Sequence, residues 1–463
     1  YHRQSGPGYR ALPQEDKLGS LQQCKFQLQG NIYAAEALYY QLGLRPDMTG
    51  VDMIALSQIL KRLIRQGKLT VIDPDGREVL FDSGAPGPAV KMRLHTKAVT
   101  RKLALFPKLY LGEAYMNGEL TLEDGNIYDL LDLFTRNIGW GKRNLFVDLG
   151  DFVYRFYWFF NQFNPKSRSL KNVAHHYDLS DDFYDLFLDE NRQYSCAYYK
   201  TPNDSLEQAQ VQKMAHIAAK LALKPGQKVL DIGCGWGGMA RFLAENADVN
   251  VTGVTLSKNQ LGYASEKAKQ MGLVNKVDYR LTDYRDVTET FDRIVSVGMF
   301  EHVGVPHYKQ YFKKVKSILS DDGVALIHTI GTADRPSPTN PWIQKYIFPG
   351  GYIPPLSEVT PAIEKAGLYV TDIEILRVHY AETLRDWRKR FMAKLETVRE
   401  IYDDRFCRMW EFYLAASEVS FRNSGLVVFQ IQLAKRLTDL PLTRDYISEI
   451  EENELNPARV AAE

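Results

Sequence analysis

The chain has 463 residues, of which 45% are hydrophobic and 25% charged, a balance that allows two or three domains with a sizeable core and excludes disorder for most of its length. The formal net charge of +1 provides no global field that would favour nucleic acid. The four cysteines are widely spaced and lack a Cys-x-x-Cys pair, which favours neither a zinc site nor a disulfide framework.

The first part of the chain predicts a small domain after an extension. Residues 1–50 carry no persuasive period, and we assign them no role. Residues 51–140 predict an α+β domain, in which an apolar stripe over 51–66 indicates a helix. The following elements are a hairpin between 69–72 and 79–81 turned by residues 73–76, a basic strand at 91–93, a helical segment at 97–117 broken near Pro107, and a helix at 127–136.

Residues 141–171 form an aromatic-rich linker. Two interpretations of it stay open: the aromatic side chains enter a lipid headgroup layer, or they belong to a helix packed on the next domain. The aromatic run and its basic flanks are Phe152, Tyr154, Phe156, Tyr157, Trp158, Phe159 and Phe160, with Lys142, Arg143, Lys166, Arg168 and Lys171.

From about 172 to 395 strands and helices alternate, within a predicted catalytic domain at 172–440. Such alternation predicts a doubly wound, mostly parallel sheet with its site at the carboxyl edge of the strands. The proline-rich segment 336–355 is expected to be a long loop, with a lid as one role for it. The acidic tail at 441–463 is expected to be solvated. The predicted strands are 228–232, 250–254, 277–281, 293–297 and 324–329, and the predicted helices are 206–221, 239–244, 258–271 and 308–319.

The most informative motif is the glycine turn that follows the first of these strands. Gly233, Gly235 and Gly237 let the backbone bend sharply and let a ligand lie against the main chain at a helix N-terminus. With Asp231 they spell D-x-G-x-G-x-G, which differs from the G-x-G-x-x-G that holds a pyrophosphate. The pattern resembles S-adenosylmethionine methyltransferases more than dehydrogenases.

Eight motifs in one order make the resemblance more specific. Together they resemble the bacterial cyclopropane-fatty-acyl-phospholipid synthases, which are related to the mycolic acid cyclopropane synthases and methyltransferases, over about residues 90–435. The resemblance implies an α/β, Rossmann-like S-adenosylmethionine-dependent methyltransferase fold behind the smaller N-terminal domain. The motifs are His176–Leu179, Tyr194–Tyr198, Leu230–Gly238, Val254–Ser257, Asp283–Asp286, Gly298–Gly304, Leu326–Gly331 and Trp342–Pro349.

The resemblance implies methylenation of a cis double bond in a phospholipid acyl chain. An alkene carbon is a poor nucleophile, so the enzyme must position it and exclude water. Methyl transfer leaves a carbocation, and a base then removes a proton so that the ring closes. The family implies that this base is a bound bicarbonate, held by Cys196, Glu301, His328, the backbone of Ile330, and Tyr380. We expect an ionised Glu301 to accept the bicarbonate hydroxyl proton and so to orient the base.

A structural alternative stays open for three of these residues. Cys196 can be a small buried hydrophobe, Glu301 can favour a helix N-terminus, and His328 can be a core histidine. Tyr380 rests on a looser match than the others.

The resemblance also assigns contacts to the methyl donor. Tyr177 and Ser195 are expected at the methionine end of the donor. Gly233 and Gly235 are expected near the sulfonium, in the turn that Gly237 completes. Thr255 and Gln260 are expected at the ribose. Asp283 and Tyr284 are expected at the adenine, although an aspartate there also caps turns. No metal site is expected.

The remaining expectations concern partners. A lipid methyltransferase that stops before ring closure is the nearest alternative, and a noncatalytic lipid-binding protein is a second. With no apolar run of membrane-spanning length, we expect a cytoplasmic protein, peripheral on the inner face of the membrane. The resemblance implies a homodimer. The basic segment that would dock on anionic lipid, or alternatively forms a solvated face, contains Lys91, Arg93, Arg101, Lys102 and Lys108.

Overall fold

The structure is a computed structural model that describes residues 51–139 and 179–453. The predictions for residues 1–50 and 141–171, and the assignment of Tyr177, lie outside these ranges. The predicted domain boundaries therefore stay a prediction.

The N-terminal part is a four-stranded sheet with four helices. Strand β1 pairs antiparallel with β2 and parallel with β3, and the order across the sheet is β2-β1-β3-β4. The predicted hairpin is present, because Asp73 Oδ1 accepts from the amides of Asp75 and Arg77 and closes the turn. The elements are α1 (Val51–Leu63), β1 (Lys68–Ile72), β2 (Glu78–Asp82), β3 (Ala89–Leu94), α2 (Lys97–Leu105), α3 (Pro107–Met116), β4 (Leu120–Asp124) and α4 (Ile127–Ile138).

Two local signals set the helix ends in this part. Helix α2 ends at Leu105 because Pro107 starts α3 at its first position, where a missing N–H costs nothing. Asn126 caps α4 by accepting from the amide of Asp129, whose carboxylate accepts in return from the Asn126 amide. The predicted break near Pro107 is thus confirmed.

The larger part is a seven-stranded sheet in the order β10-β11-β9-β8-β5-β6-β7. Strand β11 runs opposite to the other six strands of this sheet, so the sheet is mostly parallel as predicted. Its strands are β5 (Lys228–Ile232), β6 (Asn250–Thr255), β7 (Val277–Leu281), β8 (Phe291–Val297), β9 (Leu319–Thr332), β10 (Tyr369–Leu376) and β11 (Leu426–Ala434). The order places the carboxyl ends of β5, β6, β8 and β9 along one edge.

Helices cover this sheet. The longest, α14, packs against α12 and also against α3 and α4 of the N-terminal part. The helices are α5 (Asp181–Asp185), α6 (Leu206–Lys220), α7 (Gly238–Asn246), α8 (Lys258–Gln270), α9 (Tyr308–Ile318), α10 (Pro341–Tyr346), α11 (Leu356–Ala366), α12 (His379–Ala393), α13 (Leu395–Ile401), α14 (Asp404–Asn423) and α15 (Asp445–Asn453).

Two sequence expectations need correction. Segment 336–355 is not a continuous loop, because α10 interrupts it, and Trp342 of α10 is buried against the ring of Phe412 at 4.6 Å between centroids. The tail is not solvated throughout, because α15 buries Ile447 and Glu451 against α6. In both places apolar or hydrogen-bonding side chains find tertiary partners that composition alone does not reveal.

The basic segment of the N-terminal part is partly neutralised. Lys91 Nζ lies 2.7 Å from Glu78 Oε1, and an Arg93 guanidinium nitrogen lies 2.6 Å from Glu123 Oε1. Lys102 Nζ lies 5.4 Å from the centroid of the Tyr110 ring. Within residues 51–139 and 179–453, no helix is both long and apolar enough to cross a bilayer.

Candidate active site

The glycine turn leaves β5 and enters α7. The amides of Gly233 and Cys234 donate to Val254 O at 2.9 and 3.1 Å, which holds the turn against β6. Gly235 has a φ of +54°, and a Cβ added to it would meet nothing within 4 Å. At Gly237 an added Cβ would lie 2.3 Å from the Tyr279 hydroxyl oxygen, so that position is closed by packing. The backbone at Gly235 is therefore open to a ligand.

A cavity of about 170 Å³ lies beside this turn. It is lined by residues that follow β5, β6, β7 and β8, as expected for the carboxyl edge of a parallel sheet. Gly237 and the five predicted bicarbonate residues are not among its lining residues. The predicted methyl-donor residues that line it are Ser195, Gly233, Gly235, Thr255, Gln260, Asp283 and Tyr284.

Asp231, which the sequence analysis noted only as part of the motif, also lines this cavity. It is 2% exposed, and its Oδ2 has no hydrogen-bond partner among the described residues. Burial raises the pKa of Asp231 to about 7, and the nearby Lys213 charge opposes that rise. A buried carboxylate without a partner in a cavity fits a cationic ligand, because an opposite charge would favour its ionised form.

Lys213 is a further residue that the sequence analysis missed. Its side chain is fully buried in α6, and Nζ donates to Gln193 Oε1 at 2.5 Å and to Ser195 Oγ at 2.9 Å. Burial lowers the pKa of Lys213 to about 8, against the effect of Asp189, Cys196 and Asp231. The available signal was a lysine on the apolar face of a predicted helix, one turn from apolar residues on either side.

The predicted ribose and adenine residues are engaged with neighbours. Thr255 Oγ1 donates to Gln260 Oε1 at 3.0 Å. The Asp283 carboxylate accepts from the Arg285 guanidinium at 2.8 and 2.6 Å and from the Arg285 amide at 2.9 Å. Asp283 therefore caps a turn as well as lining the cavity, and its role at an adenine stays a prediction.

Three of the predicted bicarbonate residues meet at the ends of β8 and β9. Glu301 Oε1 accepts from the Ile330 amide at 2.6 Å, whereas Glu301 Oε2 and His328 Nε2 have no hydrogen-bond partner among the described residues. Burial raises the pKa of Glu301, while the Ile330 amide opposes the rise. Burial, helped by the charges of Lys213 and Lys220, holds the pKa of His328 well below its usual range.

Of the other two, Tyr380 belongs to α12 and Cys196 lies next to that helix in space. Cys196 Sγ donates to Ala197 O at 3.3 Å, and burial raises the pKa of this thiol. The Ala197 amide donates to Thr383 Oγ1 at 3.0 Å, and Tyr380 stands one turn before Thr383 on the same helix. The positive charge of Lys213 lowers the pKa of both Cys196 and His328, so both groups lie within electrostatic range of one buried cation.

Comparison with known proteins identifies the relatives of this arrangement. Residues 164–431 match the family model for mycolic acid cyclopropane synthetase, and residues 55–139 match a domain of unknown function, DUF7884. A probable fatty acid methyltransferase of Pseudomonas putida is 35% identical over 382 residues, which cover 80% of this chain and 94% of that protein.

Two further matches cover a smaller share of this chain. The cyclopropane-fatty-acyl-phospholipid synthase of Escherichia coli K12 is 43% identical over 260 residues, covering 56% of this chain and 66% of that protein. The crystal structure of mycolic acid cyclopropane synthase CmaA1, complexed with SAH and CTAB, is 34% identical with a TM-score of 0.55, and the match covers 59% of this chain and 99% of that one.

Proposed function

The chain belongs to the mycolic acid cyclopropane synthetase family of S-adenosylmethionine-dependent methyltransferases, and from that premise we propose that it is a cyclopropane-fatty-acyl-phospholipid synthase. Its substrate would be the cis double bond of an unsaturated phospholipid acyl chain. One observation carries the proposal. Beside the cavity lined by the glycine turn, Glu301 Oε2 and His328 Nε2 are buried without partners among the described residues.

The methyl donor fits the residues of the cavity. When bound, S-adenosylmethionine would supply an electrophilic methyl group, and bicarbonate would supply a weak base. Asp231 would face a positive charge of the donor, and the open backbone at Gly235 would let the donor approach the main chain. Ser195, fixed by Lys213, would bind the methionine end.

Bicarbonate fits the donor set next to the cavity with two conditions. His328, Tyr380 and the Cys196 thiol are hydrogen-bond donors, and Glu301 Oε2 is an acceptor for a hydroxyl proton. The Ile330 amide already donates to Glu301 Oε1, and the Cys196 thiol already donates to Ala197 O, so each must share its proton or exchange that partner when an anion binds. Glu301 would thereby both anchor and orient the base.

Aromatic rings near these residues would stabilise a carbocation. Tyr194 stacks on Trp387 with 5.1 Å between centroids, and Tyr380 meets the same tryptophan edge-on at 5.8 Å. A desolvated cation over such a ring face gains about 2 kcal/mol. Trp387 and Tyr380 belong to one buried cluster, and the partly buried Tyr194 packs against it. The cluster would also exclude water from the reacting alkene.

A second candidate function is methyl transfer without ring closure. It is favoured by the similarity to a probable fatty acid methyltransferase over 80% of this chain. The carbocation would then be discharged without ring closure: loss of a proton from a neighbouring chain carbon leaves a methyl-branched alkene, and a 1,2-hydride shift followed by loss of a proton from the transferred methyl leaves a methylene group. Both outcomes still need a base to take the proton.

We also propose peripheral membrane association on the cytoplasmic face and a homodimer. The exposed residues Arg101 and Lys108 support docking on anionic lipid, whereas the ion pairs of Lys91 and Arg93 reduce the charge available for it. Co-sedimentation with anionic liposomes at low and high salt tests the docking, and light scattering tests the dimer. Binding that does not change with salt would remove the electrostatic part.

The decisive experiment is product analysis. The purified protein is incubated with liposomes of a cis-unsaturated phospholipid, S-adenosylmethionine and bicarbonate, and the lipids are examined by mass spectrometry and proton NMR. A gain of one CH2 with cyclopropane methylene signals supports the proposal. A methyl-branched or methylene product supports the second candidate instead. No product despite binding of S-adenosylhomocysteine would overturn both for this lipid class.

A further inference from the structure

A line of buried polar side chains runs behind His328, away from the cavity. Gln430 of β11 stands directly opposite His328 of β9 in the antiparallel register. Lys220, at the end of α6, approaches Gln430 from the other side. Gln430 and Lys220 are fully buried and His328 is 2% exposed, so each polar contact among them is shielded from water.

Lys220 fixes which way the Gln430 amide points. Its Nζ donates to Gln430 Oε1 at 2.7 Å and also forms an ion pair with Glu374. An ammonium group has three donors and no acceptor, so only the amide oxygen of Gln430 can face it. The orientation of an amide, which heavy-atom positions alone leave ambiguous, is therefore decided by the chemistry of its neighbour.

The oriented amide then decides the protonation of His328. Gln430 Nε2 lies 3.2 Å from His328 Nδ1. Because the amide nitrogen is a donor, Nδ1 must accept, and a ring nitrogen that accepts carries no proton. The proton of the neutral ring is then on Nε2, the atom without a partner among the described residues.

The surrounding charges agree with a neutral ring. Burial and the positive charges of Lys213 and Lys220 lower the pKa of His328 well below its usual range. His216 adds to this effect, and its own ring nitrogens face carboxylates of Glu374 and Glu451. A second proton on His328 would therefore be opposed both by burial and by these neighbouring positive charges.

We propose that Lys220 and Gln430 are positioning residues that hold His328 in the neutral tautomer with its proton on Nε2. The consequence for catalysis rests on the proposed function: His328 then offers a hydrogen-bond donor to the base anion, whereas the opposite tautomer would present a lone pair and repel it. His328 itself would not be the base.

The tautomer is measured directly on the whole protein. Histidine labelled with ¹³C and ¹⁵N in a deuterated background gives ring signals that distinguish a protonated from an unprotonated Nδ1, and the His328→Gln variant assigns the signal. We expect Nδ1 to be unprotonated and Nε2 protonated in the parent protein. A proton on Nδ1 of His328 would overturn the proposal.

Substitutions separate this role from packing. Gln430→Glu offers only acceptors, so it should place a proton on Nδ1 and lower turnover by about 10- to 100-fold, the worth of one hydrogen bond to a charged group. Lys220→Arg keeps a donor-only partner and should keep the parent tautomer. The matched control is Gln432→Leu, two residues along the same strand, which stands opposite Leu326 of β9 rather than His328. Its amide nitrogen donates to Lys220 O at 2.5 Å and to the Tyr446 hydroxyl at 2.7 Å.

The outcomes are distinct from those of product analysis. The parent tautomer in Gln432→Leu and a protonated Nδ1 in Gln430→Glu support the proposal, even if the lipid product proves not to be a cyclopropane. An unchanged tautomer in Gln430→Glu overturns it. If Gln430→Glu does not fold, Lys220→Met serves instead. Without the Lys220 ammonium group the Gln430 amide is free to turn, so His328 should then show a mixture of its two neutral tautomers. If His328 stays entirely in the parent tautomer in that variant, the proposal is also overturned.

Discussion

Replacing Gly235 by alanine tests the proposed methyl-donor site, and the same substitution at Gly272 is its control. Gly235 has a φ of +54° and open space where a Cβ would stand, and it lines the cavity. Gly272, which follows α8, has a φ of +71° and equally open space, but it does not line the cavity. The two substitutions therefore carry a similar backbone strain at sites that differ in one respect, the presence of the cavity.

The expected magnitudes follow from this geometry. A left-handed conformation costs an alanine about 1–2 kcal/mol, so both variants should lose a similar, small amount of stability. Only at Gly235 would the new methyl group also meet the bound ligand. Overpacking of that kind costs about 1–3 kcal/mol, which corresponds to roughly 5- to 140-fold weaker binding.

The assay is calorimetric titration with S-adenosylhomocysteine, with thermal unfolding of each variant as the stability control. We expect Gly272→Ala to bind as the parent does and Gly235→Ala to bind at least about fivefold more weakly. Equal affinities in the two variants, at similar melting temperatures, would refute the placement of the methyl donor against this turn.

Three further predictions concern the buried charges. Glu301→Gln should reduce turnover by about 100-fold or more while S-adenosylhomocysteine binding stays within about twofold, and unchanged turnover would discard the assignment of Glu301. Because burial raises the pKa of Asp231 to about 7, the folded protein binds more protons than the unfolded chain between about pH 4 and 7, so this group costs stability as the pH rises through that window. Thermal unfolding without ligand should therefore show Asp231→Asn to be more stable than the parent at pH 8, by roughly 4 kcal/mol at most, with the advantage shrinking towards pH 4; a pH-independent difference would contradict this. Lys213→Met should weaken S-adenosylhomocysteine about tenfold and leave methylthioadenosine, which lacks the amino acid part, nearly unchanged, because Lys213 acts through Ser195; equal losses for both ligands would indicate a general disturbance.

The sequence predicted elements that local signals mark. Strands β5 and β7 match their predicted limits because short runs with strand-forming residues end at glycine or polar turns. Strand β11 was not predicted, and its run Leu426–Ala434 contains Gln430 and Gln432, which break an apolar pattern. Both glutamines are buried, and their partners come from α6, more than 200 residues earlier in the chain. A short stretch of sequence around β11 does not show that these glutamines have buried partners, so the strand could not be predicted from it.

The site, like the fold, could be predicted only where local motifs mark it. The motifs predicted that Ser195, Thr255 and Asp283 lie at one site, and all three line the cavity because parallel strands end at one edge of the sheet. The contact of Glu301 with the Ile330 amide could not be predicted, since it depends on how a short turn after β8 lies on β9. Burial, which sets the protonation of Asp231, likewise depends on the complete fold.

Helix α6 connects the two halves of the proposed site. Lys213 binds Ser195 at the cavity, and Lys220, two turns further on the same face, binds Gln430 behind His328. Seven residues of helix span about 10 Å, a distance at which substitutions act nearly independently. Lys213→Met should therefore weaken the donor analogue without changing the His328 tautomer, and Lys220→Met should change the tautomer without weakening the analogue. In the Lys213→Met/Lys220→Met double variant we expect the loss of analogue affinity and the change of tautomer to equal those of the two single variants. Larger effects would mean that α6 couples the two halves of the site energetically.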